Sequence, residues 1–279
     1  NIFLPNASCR YISTAPTYCF FYPLQESLTG GYTDYFIQSA TIVIIVTIMI
    51  LLLGRVWCSW LCPLGFAQEL LSDLRDLMGI PPVRLKWSQR ALLREVKYAI
   101  LFFALLISVS VGLESLGMTA LREHLTLPYC QVCPAKGLFT ILQMWAGILP
   151  PSTSLPYLAI AVLIIFLVLS FFIRLFWCRI CPMGALMSLF ASKSLIYLRK
   201  DPDKCTQCRI CLRVCPVDHD RVFEEMGEED VSGSDCTLCG KCVEYCPEEG
   251  CLNLSLGSWD LVSSRKPGGE EKKRGKFKW

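Results

Sequence analysis

The chain has 279 residues, 53% hydrophobic and 18% charged, with a formal net charge of +3, 17 cysteines and two histidines. A mean hydropathy of +0.44 is too apolar for an ordinary water-soluble domain of this size, and the near-balanced charge gives nucleic acid no footing. No C-x-x-C-H occurs and the only histidines are His124 and His219, which excludes covalent haem.

In chain order, residues 1–35 read as an outer-face segment lying along a membrane surface. They are rich in aromatics, proline and glycine and contain Cys9 and Cys19. The chain starts at Asn1 on the outside, so either an N-terminal helix or signal has been removed or, the favoured expectation, an earlier span precedes it. Three apolar runs, about 36–54, 96–113 and 155–174, each approach the roughly 20 residues a helix needs to cross a bilayer. A shorter run, 138–149, suits a re-entrant or interfacial segment. The first loop carries Arg75, Arg84, Lys86, Arg90, Arg94 and Lys97, with Arg55 at its entry, whereas the other connections are poor in Lys and Arg. By the positive-inside rule that loop is cytoplasmic. The expected fold is therefore an all-α transmembrane helical bundle over 36–199, multi-pass in the cytoplasmic membrane, in contact with lipid. Glu114, at the outer end of the second span, is either a proton-accepting quinone ligand or a solvated cap.

Beyond the third run stand Cys205, Cys208, Cys211 and Cys215-Pro216, then Cys236, Cys239, Cys242 and Cys246-Pro247. This doubled C-x2-C-x2-C-x3-C-P is the bacterial ferredoxin pattern, in which the fourth cysteine of each run ligates the other cluster. Two [4Fe–4S] clusters are expected, one on Cys205, Cys208, Cys211 and Cys246, the other on Cys236, Cys239, Cys242 and Cys215. Zinc ribbons also use C-x2-C pairs but have no use for the third and fourth cysteines at these offsets. Residues 200–257 thus form a small α+β 2[4Fe–4S] ferredoxin domain on the cytoplasmic side, too small for a real core and held folded by its clusters. Residues 258–279 are a charged tail.

Two further elements repeat. Arg55-Val56-Trp57-Cys58-Ser59-Trp60-Leu61-Cys62-Pro63-Leu64-Gly65 follows the first run, and Arg174-Leu175-Phe176-Trp177-Cys178-Arg179-Ile180-Cys181-Pro182-Met183-Gly184 follows the third. Both read W-C-x(2 or 3)-C-P-x-G, an internal duplication. Proline is expected to end the preceding helix and glycine to turn the backbone sharply, so that the thiols face one object. If the repeats face each other, Cys58, Cys62, Cys178 and Cys181 supply a third cluster, a redox-active dithiol pair, or structural thiols. The outer Cys130 and Cys133-Pro134 join Cys9 and Cys19 either in two disulfides or as ligands of a fourth cluster.

These two elements with a C-terminal double ferredoxin run resemble the NapH/NosR/CcoG group of polytopic membrane ferredoxins, over roughly residues 36–250. The second element departs from the group's usual spacing, with two residues between its cysteines instead of three. The resemblance implies an electron-transfer subunit of a membrane oxidoreductase complex, quinol dehydrogenase-like, passing electrons between the quinone pool and partner redox subunits. A metal-handling or assembly factor and an iron–sulfur redox sensor are the alternatives. No acid–base dyad, nucleophile constellation or phosphate loop is present, so substrate chemistry is expected to reside in a partner.

Overall fold

The computed structural model describes residues 21–29, 35–112, 128–147, 150, 156–191 and 193–265; Cys9, Cys19 and Glu114 lie outside them, as does most of the charged tail. The described residues form thirteen α-helices and one three-stranded sheet. Helices α1 (Phe21–Thr29) and α2 (Tyr35–Leu53) lead into the five-residue α3 (Val56–Trp60) and α4 (Pro63–Leu77). After the 26-residue α5 (Trp87–Gly112) come α6 (Pro128–Gln131) and α7 (Pro134–Trp145). A second copy of the opening arrangement follows in α8 (Tyr157–Phe172), α9 (Phe176–Ile180) and α10 (Pro182–Ala191).

The expected multi-pass transmembrane bundle is corrected here: among the described residues no helix is long and apolar enough to cross a membrane. At a rise of about 1.5 Å per residue, the 16 residues of α8 reach roughly 24 Å and the 19 of α2 roughly 28 Å, against about 30 Å of hydrocarbon. The length of α5 is deceptive, because Arg90, Arg94, Glu95 and Lys97 occupy its first half and its apolar stretch begins only at Tyr98. Of the run at 138–149, residues 138–145 lie in α7, which packs on α8 with Gly137 against the Ala159 carbonyl. Apolar side chains are nonetheless exposed along α2 (Ile44, Ile45, Ile48), α5 (Phe102, Phe103, Leu106) and α8 (Ile164, Ile165, Val168).

The basic residues read as a topology signal have a different role. Four of them, Arg55, Arg84, Arg90 and Lys97, bind the C-terminal module to the helices, and Arg179 of α9 joins them. Arg90 reaches the Asp218 carbonyl (2.6 Å) and the Asp220 carboxylate (2.5 Å), and Arg179 reaches the Pro216 carbonyl (3.1 Å) and Asp218 (2.8 Å). Lys97, almost fully buried, meets Asp235 at 2.5 Å, and Arg84 donates to the Arg213 carbonyl. A row of cations opposite carbonyls and carboxylates is a charge-assisted seam.

The C-terminal module begins earlier than its cysteines, with β1 (Ile196–Lys200) starting four residues before the expected boundary and the Leu195 N–H bonded to the Leu51 carbonyl. Helices α11 (Ile210–Val214), α12 (Arg221–Glu224) and α13 (Lys241–Glu244) follow, then β2 (Leu252–Leu256) and β3 (Trp259–Ser263). The sheet is antiparallel in the order β1-β2-β3, with a register shift between Leu254 and Ser255. Its third strand falls inside the segment read as tail. Alternate residues Ile196, Leu198 and Lys200 face inward from β1. Ile196 and Leu198 with Val222, Val231, Leu238, Val243 and Leu252 make a real if small core, onto which Leu53 and Val56 of the helical body pack.

Candidate metal centre

The same backbone geometry recurs in the two cysteine runs. Gln207 and Arg209 in the first, Leu238 and Gly240 in the second, hold positive φ (53°, 61°, 52° and 76°) at equivalent places between the cysteines. Successive left-handed residues turn backbone N–H groups toward a common centre, a concavity suited to negative charge. The sulfurs are served accordingly: Cys236 Sγ accepts from the Leu238 N–H at 3.4 Å, and Cys215 Sγ from the His219 N–H at 3.2 Å.

The eight thiols are free of disulfides and line two adjoining cavities. One is bordered by Cys205, Cys208, Cys211 and Cys246, the other by Cys236, Cys239, Cys242 and Cys215. Cys211 and Val222 border both, so the cavities share a wall. Burial pushes the Cys215 and Cys236 thiols up to about 12, and Cys239 adds to both; Cys242 is raised well above the ordinary thiol, first by burial and then by Cys236 and Cys239. Thiols buried this closely cannot all ionise unless something positive sits among them, which is what a cluster's iron supplies. Among the described residues no three His, Cys, Asp or Glu side chains are gathered around a point that could hold a single metal ion; the thiols ring cavities instead. The donor set fits an iron–sulfur cluster.

Cys251 belongs to neither run, yet it is buried and lines the first cavity, and burial together with neighbouring Cys246 and Cys205 pushes it up to about 12. Nothing in its spacing signalled this, because it stands outside the C-x2-C rhythm.

Four more thiols converge between the two helical copies. Cys58 lies in α3 and Cys62 caps α4, while Cys178 lies in α9 and Cys181 precedes α10. Burial pushes Cys178 up to about 12, with Cys58 and Cys181 next in effect, and raises Cys62 well above the ordinary thiol, with Cys178 and Cys58 next. The prolines open helices here instead of ending them: Pro63 occupies the first turn of α4, where its missing N–H costs nothing. The glycines make no turn either. A Cβ on Gly65 would stand 2.6 Å from the Cys58 carbonyl, and one on Gly184 would stand 3.3 Å from the Arg55 guanidinium, so both serve close approach.

Two side chains besides the cysteines hold this quartet. Gln68, fully buried, accepts from the Trp177 N–H at 2.8 Å and donates to Cys178 Sγ at 3.5 Å, joining the first copy to the second. Arg55, 2% exposed, is held above its ordinary value, burial lowering it but the charges of Cys58, Asp235 and Cys178 outweighing that; it donates to the Ser234 carbonyl at 3.1 Å and also acts on Cys236. It therefore stands between the quartet and the second ferredoxin cavity. Ser59 and Trp60 of α3 add bonds to the carbonyls of Thr237 and Leu238 (2.6 and 3.3 Å).

Of the outer cysteines only Cys130 and Cys133 are described. Cys130 is buried in α6, 3.8 Å from the Gln25 amide of α1, and Cys133 with Pro134 opens α7 as Cys62 with Pro63 opens α4.

Fold and thiols together define an iron–sulfur protein, a ferredoxin-type module docked on a duplicated helical body. A family model described as a 4Fe-4S binding domain matches residues 38–81 and again 155–200, and a 4Fe-4S dicluster domain matches 197–247. The putative electron transport protein YccM of Escherichia coli is 32% identical over 84% of this chain, and the uncharacterized MJ0749 of Methanocaldococcus jannaschii is 30% identical over 77%. The ferredoxin-type protein NapH of E. coli is 29% identical over 80%. The matched region spans 60% of YccM, 71% of MJ0749 and 70% of NapH. No solved structure matches. The chain belongs to the NapH/NosR-type family of ferredoxin-like 4Fe-4S proteins, and it is an iron–sulfur electron-transfer protein.

Proposed function

We propose that the chain is a relay with three stations: two [4Fe–4S] clusters on the ferredoxin cysteines and a third cluster held by Cys58, Cys62, Cys178 and Cys181. Electrons pass between a quinol or quinone at one end and a partner oxidoreductase subunit at the other. The observation that carries this reading is the continuity of the thiol sites: quartet, Arg55, the cavity of Cys236 and Cys215, then Cys211 in the wall of the last cavity. The iron supplies the one-electron chemistry when bound. The residues bury the sulfurs, aim N–H groups at them and fix the stations relative to one another. Those are the protein's levers on potential. Cys130 and Cys133 stay outside this line and belong either to a disulfide pairing or to a further cluster with Cys9 and Cys19.

A second reading, metal handling, gains support from Met187, whose thioether lies 3.6 Å from Cys58 Sγ, since mixed thiolate and thioether donors suit soft metals. Iron and acid-labile sulfide on anaerobically purified protein, with EPR after dithionite reduction, separate the two. The relay predicts about eight irons from the octet and roughly two to four more from the quartet. Zinc or copper at the quartet, or no iron beyond the octet, would sink the third station.

A further inference from the structure

Between the first half of α5, the helix α9 and the loops of the ferredoxin module lies a cavity of about 350 Å³, much larger than the thiol cavities beside it. Six cationic side chains line it: Arg55, Arg90, Arg94, Lys97, Arg179 and Arg221. Four acids oppose them, and each of Asp218, Asp220 and Asp235 is already engaged by Arg179, Arg90 and Lys97. Arg94 has no acidic partner among the described residues, and its charge presses on Lys97. By count the lining carries two more cations than acids; Arg221 is met by Glu228 just outside it, which leaves the charge of Arg94 uncompensated.

A second observation is independent of that count. The Nε atoms of Arg55, Arg90 and Arg179 are all buried and all lack a hydrogen-bond partner. Arg55 and Arg179 are 2% and 9% exposed. Native structures seldom leave even one such donor unpaired, and the three guanidinium groups that carry them all border this one cavity. Guanidinium forks match the tetrahedral oxygens of phosphate better than they match chloride or water.

We propose that this cavity binds a phosphate-type dianion, either the free ion or the phosphomonoester of a small organic molecule. The inference goes beyond the relay. Because the cavity touches Cys178 on one side and His219, whose N–H serves Cys215, on the other, a bound dianion stands beside two of the thiol sites. Anion occupancy and the redox state of those sites are then linked, each opposing gain of negative charge by the other.

The test is calorimetric titration of the full chain, carrying its iron, with inorganic phosphate and in parallel with glycerol 3-phosphate. A dissociation constant below about 1 mM is expected for at least one of them. Arg94→Gln, which removes an exposed cation taking no part in the docking seam, should weaken it at least fivefold, whereas Lys193→Gln, away from the cavity, should not. Tighter binding of the ester identifies an organic phosphate as the occupant, and equal binding identifies the free ion. Absence of saturable binding by either, or equal affinity in Arg94→Gln, overturns the inference. The EPR signals of the same samples keep the two readings apart: intact signals without phosphate binding sink this inference alone.

Discussion

At Gly65 one missing carbon decides whether the quartet can assemble. The first turn of α4 runs so close to α3 that a Cβ would lie 2.6 Å from the Cys58 carbonyl, a backbone atom that cannot rotate away. Gly65→Ala should therefore destabilise the protein by about 1–3 kcal/mol through overpacking. Gly184→Ala, facing a side-chain guanidinium at 3.3 Å, should cost less; thermal unfolding of the two variants compares them. If both melt like the parent, the close approach has no energetic content. Cys251 poses a sharper question of the same size, since it shares a cavity with Cys246 but not its place in the repeat. With Cys246 as ligand and Cys251 as neighbour, Cys246→Ala should lose about four irons per chain and Cys251→Ala none. The reverse result in an iron determination would exchange their roles.

The short helices α3 and α9 do for the fold what their sequence only half disclosed. The C-P-x-G repeats were visible as spacing, because cysteine offsets and a paired proline are written directly along the chain. The octet was legible for the same reason. What the residues could not disclose was the partner of each charge. Arg84, Arg90 and Lys97 lie more than 120 residues from the carbonyls and carboxylates they bind, so a local reading saw only an uncompensated basic loop and assigned it to a membrane face. The seam is testable as an element. Each charge-assisted bond contributes on the order of 1 kcal/mol once partial exposure is discounted. The double variant Arg90→Gln, Arg179→Gln should speed amide exchange at residues 216–220 while leaving exchange in α8 unchanged. Uniform protection in the variant would mean that the apolar contacts of Leu53 and Val56 alone hold the module down.

Across the whole molecule, stability is divided unevenly between the helical body and the ferredoxin-type module. The body packs α4 on α8 and α10 on α5 and buries Phe166, Ala185 and the fully enclosed Arg75, which donates to the Phe171 carbonyl and pairs with Asp76. The module has seven aliphatic side chains in its core, beside thiols that burial holds well above their ordinary ionisation. Removing iron leaves those thiols protonated around vacated space, without the bonds that tie the two runs to each other. Anaerobic chelation should therefore raise amide exchange across residues 201–251 by at least about tenfold, a local loss of ~1.4 kcal/mol, with the module opening as a unit. Helices α8 and α10 should change little, apart from the turn carrying Cys178 and Cys181. Equal loosening of body and module would show that the quartet staples the helical copies as strongly as the octet staples the sheet. Unchanged exchange everywhere would show that the apolar core, small as it is, suffices without metal.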